Sequence, residues 1–74
     1  MARSKSRVEN RVRELRFSHG AMTQEQLANA IGVSRQTVIA MEQGRFCPSL
    51  ESALKIGRVF NVPLEEIFQL IEGQ

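Results

Sequence analysis

Apolar residues recur along the chain at three- and four-residue steps, in groups separated by turn-forming residues. The first group, Val8, Val12 and Leu15, predicts a helix from about residue 6 to residue 18, ended by His19 and Gly20. A histidine there would interact favourably with the helix dipole. Thr23 caps a second helix, and Gln26 three residues on completes a capping box. Met22 and Leu27 take the flanking hydrophobic-staple positions, and Leu27, Ala28 and Ile31 form the apolar side. Gly32 interrupts the pattern, Ser34 caps a third helix between Val33 and Val38, and that helix runs to Gln43 and stops at Gly44. Phe46, Cys47 and Pro48 form a loop. Ser49 caps a fourth helix with Leu50, Ala53, Leu54 and Ile56 mostly inward. Asn61, Val62 and Pro63 mark a turn, and a fifth helix is expected from about residue 64 to residue 71, with Leu64, Ile67, Phe68 and Ile71 on one face. Leu70 falls off that stripe, which reads either as a partner surface or as a shielded end of the chain. No segment shows the period-2 alternation of a half-buried strand, so the pattern predicts an all-α fold: a flexible basic arm over residues 1–5 and one domain over residues 6–74.

Residues 23–44 are the most informative. Two short capped helices joined by a three-residue turn centred on a glycine describe a helix-turn-helix, and the small Ala28, four residues before Gly32, suits close helix approach. At about 100° per residue, Arg35, Gln36, Ile39, Ala40 and Gln43 share one side of the third helix, with Val38 and Met41 opposite and Thr37 near them. The first side carries no acid. An arginine can reach guanine O6 and N7 in the major groove, a glutamine can pair with adenine N6 and N7, and an apolar group can touch a thymine methyl. Taken singly, Gln36 and Gln43 are ordinary solvated residues; beside Arg35 and in register with the turn they predict a base-reading surface.

Composition narrows the remaining choices. Seventy-four residues allow one domain, and a chain this short buries only about 60% of its unfolded surface, so association would help it. The net charge of +2 is unevenly spread: residues 1–16 hold Arg3, Lys5, Arg7, Arg11, Arg13 and Arg16 against Glu9 and Glu14, whereas residues 59–74 hold Glu65, Glu66 and Glu72 and no base. The basic end suits phosphates, the main source of non-specific DNA affinity. One cysteine and one histidine make neither an internal disulfide nor a four-ligand zinc site. With no Asp, no Gly-rich phosphate loop and no nucleophile–base arrangement, no enzyme activity, metal or cofactor is expected. No apolar run approaches the ~18 residues of a membrane span, and no apolar h-region follows the basic N-terminus, so a cytoplasmic protein is expected.

The ordered set of residues resembles the Xre family, which includes the lambdoid phage repressors and Cro. The resemblance rests on Arg13, Glu14, Leu15 and Arg16; on Thr23, Gln24, Glu25, Gln26, Leu27 and Ala28; on the run from Ile31 through Val38; on Glu42, Gln43 and Gly44; on Pro48, Ser49 and Leu50; and on Leu54, Lys55 and Ile56 with Glu65, Glu66, Ile67 and Phe68. It implies a compact five-helix, lambda-repressor-like domain that binds double-stranded DNA. By the same resemblance Arg35, Gln36 and Ala40 would read bases beside Ile39, Gln24 and Thr37 would hold phosphates, and Arg45 would lie in a loop approaching the backbone. Arg16 and Glu42 would form a buried, structural ion pair. The expected function is a regulator of transcription, a repressor acting as a homodimer through its C-terminal helix region on a near-palindromic operator. The competing expectation is a protein-interaction module, an antitoxin or anti-regulator with a protein partner and secondary DNA binding, motivated by the apolar surplus around Leu70. Three features depart from the family pattern: Ala21 lengthens the first turn, Gly57 replaces a usual alanine at about 0.8–1 kcal/mol of helix propensity, and Ala40 removes a hydrogen bond from a base-facing position.

Overall fold

A computed structural model of the chain describes residues 5–73. Along the chain run β1 (Lys5–Asn10), α1 (Val12–Ser18), α2 (Gln24–Ile31), α3 (Arg35–Glu42), α4 (Leu50–Phe60), α5 (Leu64–Ile67) and β2 (Phe68–Gly73). The caps explain most of these boundaries. Thr23 accepts from the Gln26 N–H at 3.0 Å while the Gln26 side chain accepts from the Thr23 N–H at 2.9 Å, so the capping box is complete. Ser34 and Ser49 accept from the N–H groups of Thr37 and Ser52, giving α3 and α4 their first satisfied donors. Gly32, with φ +77°, ends α2 in the left-handed conformation, and its N–H and that of Val33 both donate to the Ala28 carbonyl. Asn61, with φ +59°, does the same for α4.

Nine buried side chains make one core: Val12 from α1, Leu27, Ala28 and Ile31 from α2, Val38 and Met41 from α3, Ile56 and Phe60 from α4, and Ile67 from α5. On α4 the buried side is Ala53, Ile56 and Phe60, whereas Leu50 and Leu54 are 69% and 55% exposed. Of the four residues expected to lie mostly inward, two therefore point outward. At about 100° per residue Leu54 lies on a different side of the helix from that stripe, and Leu50 stands in its first turn. Gly57 has a local reason. A Cβ there would lie 3.1 Å from the Val62 carbonyl oxygen, because the turn after α4 folds back and the Val62 N–H donates to the Gly57 carbonyl. His19 also links elements: its Nδ1 lies 2.9 Å from the Leu15 carbonyl and its Nε2 3.1 Å from the Phe60 carbonyl, joining the C-terminal ends of α1 and α4.

The fold is not all-α. β1 and β2 pair antiparallel in a two-stranded ribbon, with Lys5 opposite Gly73, Val8 opposite Leu70 and Asn10 opposite Phe68. The first helix therefore starts at Val12 rather than near residue 6, and the last ends at Ile67 rather than Ile71. Helical spacing from Val8 to Val12 misled because a four-residue step also joins a strand residue to a helix residue. Asn10 makes the break: its Oδ1 accepts from the Val12 N–H at 3.1 Å and its Nδ2 donates to the Met41 carbonyl at 2.9 Å, fixing the corner between β1 and α1 against the end of α3. Leu70 fell off the helical stripe because it belongs to a strand, on the opposite face from Ile71. Apart from Lys5 in β1, the arm expected over residues 1–5 lies outside the described residues.

The turn between α1 and α2 holds both Gly20 at φ +78° and Ala21 at φ +54°. A left-handed alanine costs roughly 1–2 kcal/mol, partly offset in a glycine by its greater unfolded-state freedom. Ala21→Gly is expected to stabilise the chain by about 0.5–1 kcal/mol, read as a higher urea midpoint at unchanged slope; a lower midpoint would contradict the strain.

Candidate nucleic-acid interface

The site is built on the rigid joint between α2 and α3. Once Gly32 has turned the chain and Ser34 has capped α3, the helix buries Val38 and Met41 and must present its other side outward. Arg35, Gln36 and Gln43 are exposed there, and Ile39 and Ala40 are half-buried. The five do not form a single row. Arg35, Ile39 and Gln43, four residues apart, border an open groove with Gln24 from the start of α2 and Arg13 and Phe17 from α1. Gln36 and Ala40 form a second row, one residue round the helix.

An ion pair closes the inner wall of this groove. Arg16 donates from Nε to Glu42 Oε2 at 2.6 Å and from Nη2 to Glu42 Oε1 at 3.1 Å, a two-point pair whose side chains are 7% and 5% exposed. The remaining Arg16 Nη1 donates to the Met22 carbonyl at 2.7 Å, and Gln24 Nε2 donates to Glu42 Oε1 at 3.1 Å. Gln24 is thus a brace on α3. The Phe17 ring lies against both flanking guanidinium groups, with its centroid 5.2 Å from Arg16 and 5.6 Å from Arg13, within the range of a cation–π contact. The acid of α3 is thereby buried and neutralised, and the exposed face of the helix keeps Arg35 as its only charge.

The other expected residues are engaged within the chain. Thr37 is half-buried, with Oγ1 3.0 Å from the Ser34 hydroxyl. Exposed Arg45 donates from Nε and Nη2 to Gln43 Oε1 at 2.9 and 2.6 Å, so the two residues form one unit at the end of α3. Cys47 is exposed in the loop beyond them. Glu25 adds one carboxylate to the outer rim of the groove. Sequence reasoning did not single out Phe17, or give Arg13 a place in the site. Their i,i+4 spacing on α1, beside Arg16, was the available signal. Among the described residues no three or more metal-ligating side chains gather, and no helix is long and apolar enough to cross a membrane.

Comparison with known proteins agrees with this fold. A sequence model of a helix-turn-helix family matches residues 12–67, from the first residue of α1 to the last of α5, leaving both strands outside. An uncharacterized HTH-type transcriptional regulator of Archaeoglobus fulgidus is 48% identical over 61 residues, spanning 82% of this chain and 86% of that one. The cryptic phage CTXphi transcriptional repressor RstR of Vibrio cholerae is 36% identical over 58 residues, covering 78% of this chain and 51% of the repressor. A crystal structure of a Bacteroides fragilis protein superposes with a TM-score of 0.72 at 22% identity, over 84% of this chain and 98% of that one, which supports the fold.

Removing one partner of a buried ion pair leaves the other charge uncompensated, at about 3–5 kcal/mol. Arg16→Met or Glu42→Leu alone is expected to cost that much. The apolar pair Arg16→Met with Glu42→Leu should recover most of the loss, because both desolvated charges are gone. A urea double-mutant cycle reads the coupling, and additive single losses would show that the pair is not coupled.

Proposed function

Because the chain belongs to the Xre-type helix-turn-helix family, we propose that it is a sequence-specific DNA-binding regulator of transcription that places α3 in the major groove. The observation that carries the reading is the sequestered acid. Glu42 is the single acid of α3, and its pairing with Arg16 leaves a helix face of Arg35, Gln36, Ile39, Ala40 and Gln43 without negative charge. Arg35 suits guanine O6 and N7, Gln36 suits adenine N6 and N7, and Ile39 offers an apolar contact for a thymine methyl. Ala40 lets the backbone of α3 approach a base pair closely without adding a hydrogen bond. Gln43 reads a base only through its amide N–H or after exchanging its bond with Arg45, since Arg45 holds its carbonyl oxygen.

Gln24, Thr37 and Arg45 surround this face and serve as phosphate contacts, with Gln24 using the second N–H of its Nε2 while the first remains on Glu42. Two copies related by a two-fold axis would set their α3 helices about one turn of DNA apart, ~34 Å, on a near-palindromic operator. The likeness to a phage repressor supports repression by occupying a promoter. The activity proposed is binding in the cytoplasm, without catalysis or cofactor.

Selection of bound duplexes from a random pool tests the proposal. An enriched inverted repeat with half-site centres about 10 bp apart is expected; no enriched motif would refute sequence-specific reading. Arg35→Ala should lower affinity by about 1–3 kcal/mol and relax the preference at one base pair. Arg45→Ala should instead weaken binding on all sequences and reduce the salt slope of log K by about 1, measured by fluorescence anisotropy across a salt series.

A further inference from the structure

Between residues 7 and 16 the chain carries four arginines, and three of them are engaged by glutamates. Arg7 pairs with Glu9, Arg11 with Glu14 and Arg16 with Glu42. Arg13 differs. It is exposed, and among the described residues no carboxylate lies within ion-pair range of it. Its guanidinium stands instead 5.6 Å from the centre of the Phe17 ring, one helical turn further on, and Phe17 is itself 57% exposed. The two residues form the α1 wall of the groove whose opposite wall is Arg35, Ile39 and Gln43 of α3. Gln24 and the Arg16–Glu42 pair close it on the inner side. Because that pair is neutral as a unit, the charges left in the groove are Arg13 and Arg35 against Glu25 at the outer rim.

We propose that this groove seats one sugar–phosphate strand of the duplex, with the Arg13 guanidinium on a phosphate and the Phe17 ring against the adjoining sugar. The inference rests on the major-groove reading above and adds α1 to the contact surface. A helix lying in the major groove is flanked by the backbone ridges that bound that groove. The ridge on the α1 side needs a depression beside the helix, and the groove supplies one along the row of Arg35, Ile39 and Gln43. Its excess of positive charge suits a polyanion. A guanidinium presents a planar fork of donors that fits two phosphate oxygens. Contact with Phe17 restricts the Arg13 side chain before DNA arrives, so less freedom is lost on binding. The exposed ring also gives the apolar carbons of a deoxyribose a surface to cover. The second N–H of Gln24 Nε2 opens on the same groove, so one strand meets a neutral donor and a charged one. Phosphate contacts fix a protein's register on the duplex and carry no sequence information. Arg13 therefore sets affinity and register, and leaves base choice to α3.

Fluorescence anisotropy across a salt series, on the selected operator and on an unrelated duplex, tests the assignment. Arg13→Ala should weaken binding about tenfold on both duplexes and reduce the salt slope of log K by about 1. Arg13→Lys keeps the charge and should keep the slope. Phe17→Ala removes the support but not the charge, so it should cost about two- to fivefold with the slope intact. Glu25→Gln takes the acid from the rim and should tighten binding about twofold on both duplexes. Arg13, Phe17 and Glu25 are all exposed, and helical circular dichroism with the urea midpoint checks that each variant keeps its fold. A purely structural role for Arg13 would lower the midpoint and leave the slope unmoved. An unchanged slope in Arg13→Ala overturns the proposal. A loss confined to the selected operator also overturns it, because Arg13 would then read a base. If selection enriches no motif, sequence-specific reading fails, while the slope on the unrelated duplex still decides whether Arg13 meets a phosphate.

Discussion

The buried pair of Arg16 and Glu42 is the constraint on which the domain turns. It joins α1 to α3, and through the Met22 carbonyl and Gln24 it also fixes the start of α2. Three helices thus meet at one charged point rather than on apolar packing alone. Burying two charges is costly, and an ion pair returns that cost only when its geometry is good and its leftover donors are satisfied. Both conditions hold here: the pair is two-pronged, and the remaining Arg16 nitrogen has a carbonyl. The same arrangement serves the outer surface, because a glutamate on α3 facing solvent would repel the phosphates that this face is proposed to approach.

The parts of the fold legible in the sequence are those set by local chemistry. Thr23 with Gln26, Ser34, Ser49, Gly32 and Gly44 define helix ends through bonds that span only a few residues, and the structure places α2, α3 and the start of α4 accordingly. The exposed face of α3 followed from helical geometry once those ends were known. The ribbon was not legible, because its pairing joins segments at opposite ends of the chain and neither strand alternates cleanly. Its one trace was Leu70, an apolar residue out of place on the helix drawn for it. Leu50 and Leu54 were misplaced for a related reason. Six apolar residues on α4 are more than one buried stripe needs, and sequence alone does not say which of them the core takes.

At the candidate site the legible residues are those that point outward from α3. Asn10, Phe17 and Arg13 acquire their parts only when α1 and β1 are set against α3. Asn10 in particular reads as a polar surface residue until its amide is seen to bind the end of α3 on one side and the start of α1 on the other.

The pairing of the two chain ends bears on the order of folding. Contacts between α2 and α3 close short loops, whereas β1 can meet β2 only by closing a loop nearly as long as the chain. Loop-closure entropy opposes such contacts until other interactions have gathered the chain. The helical body is thus the natural nucleus and the ribbon the last element to form and the first to open. A domain assembled in this order completes the face proposed to read DNA before its two ends meet.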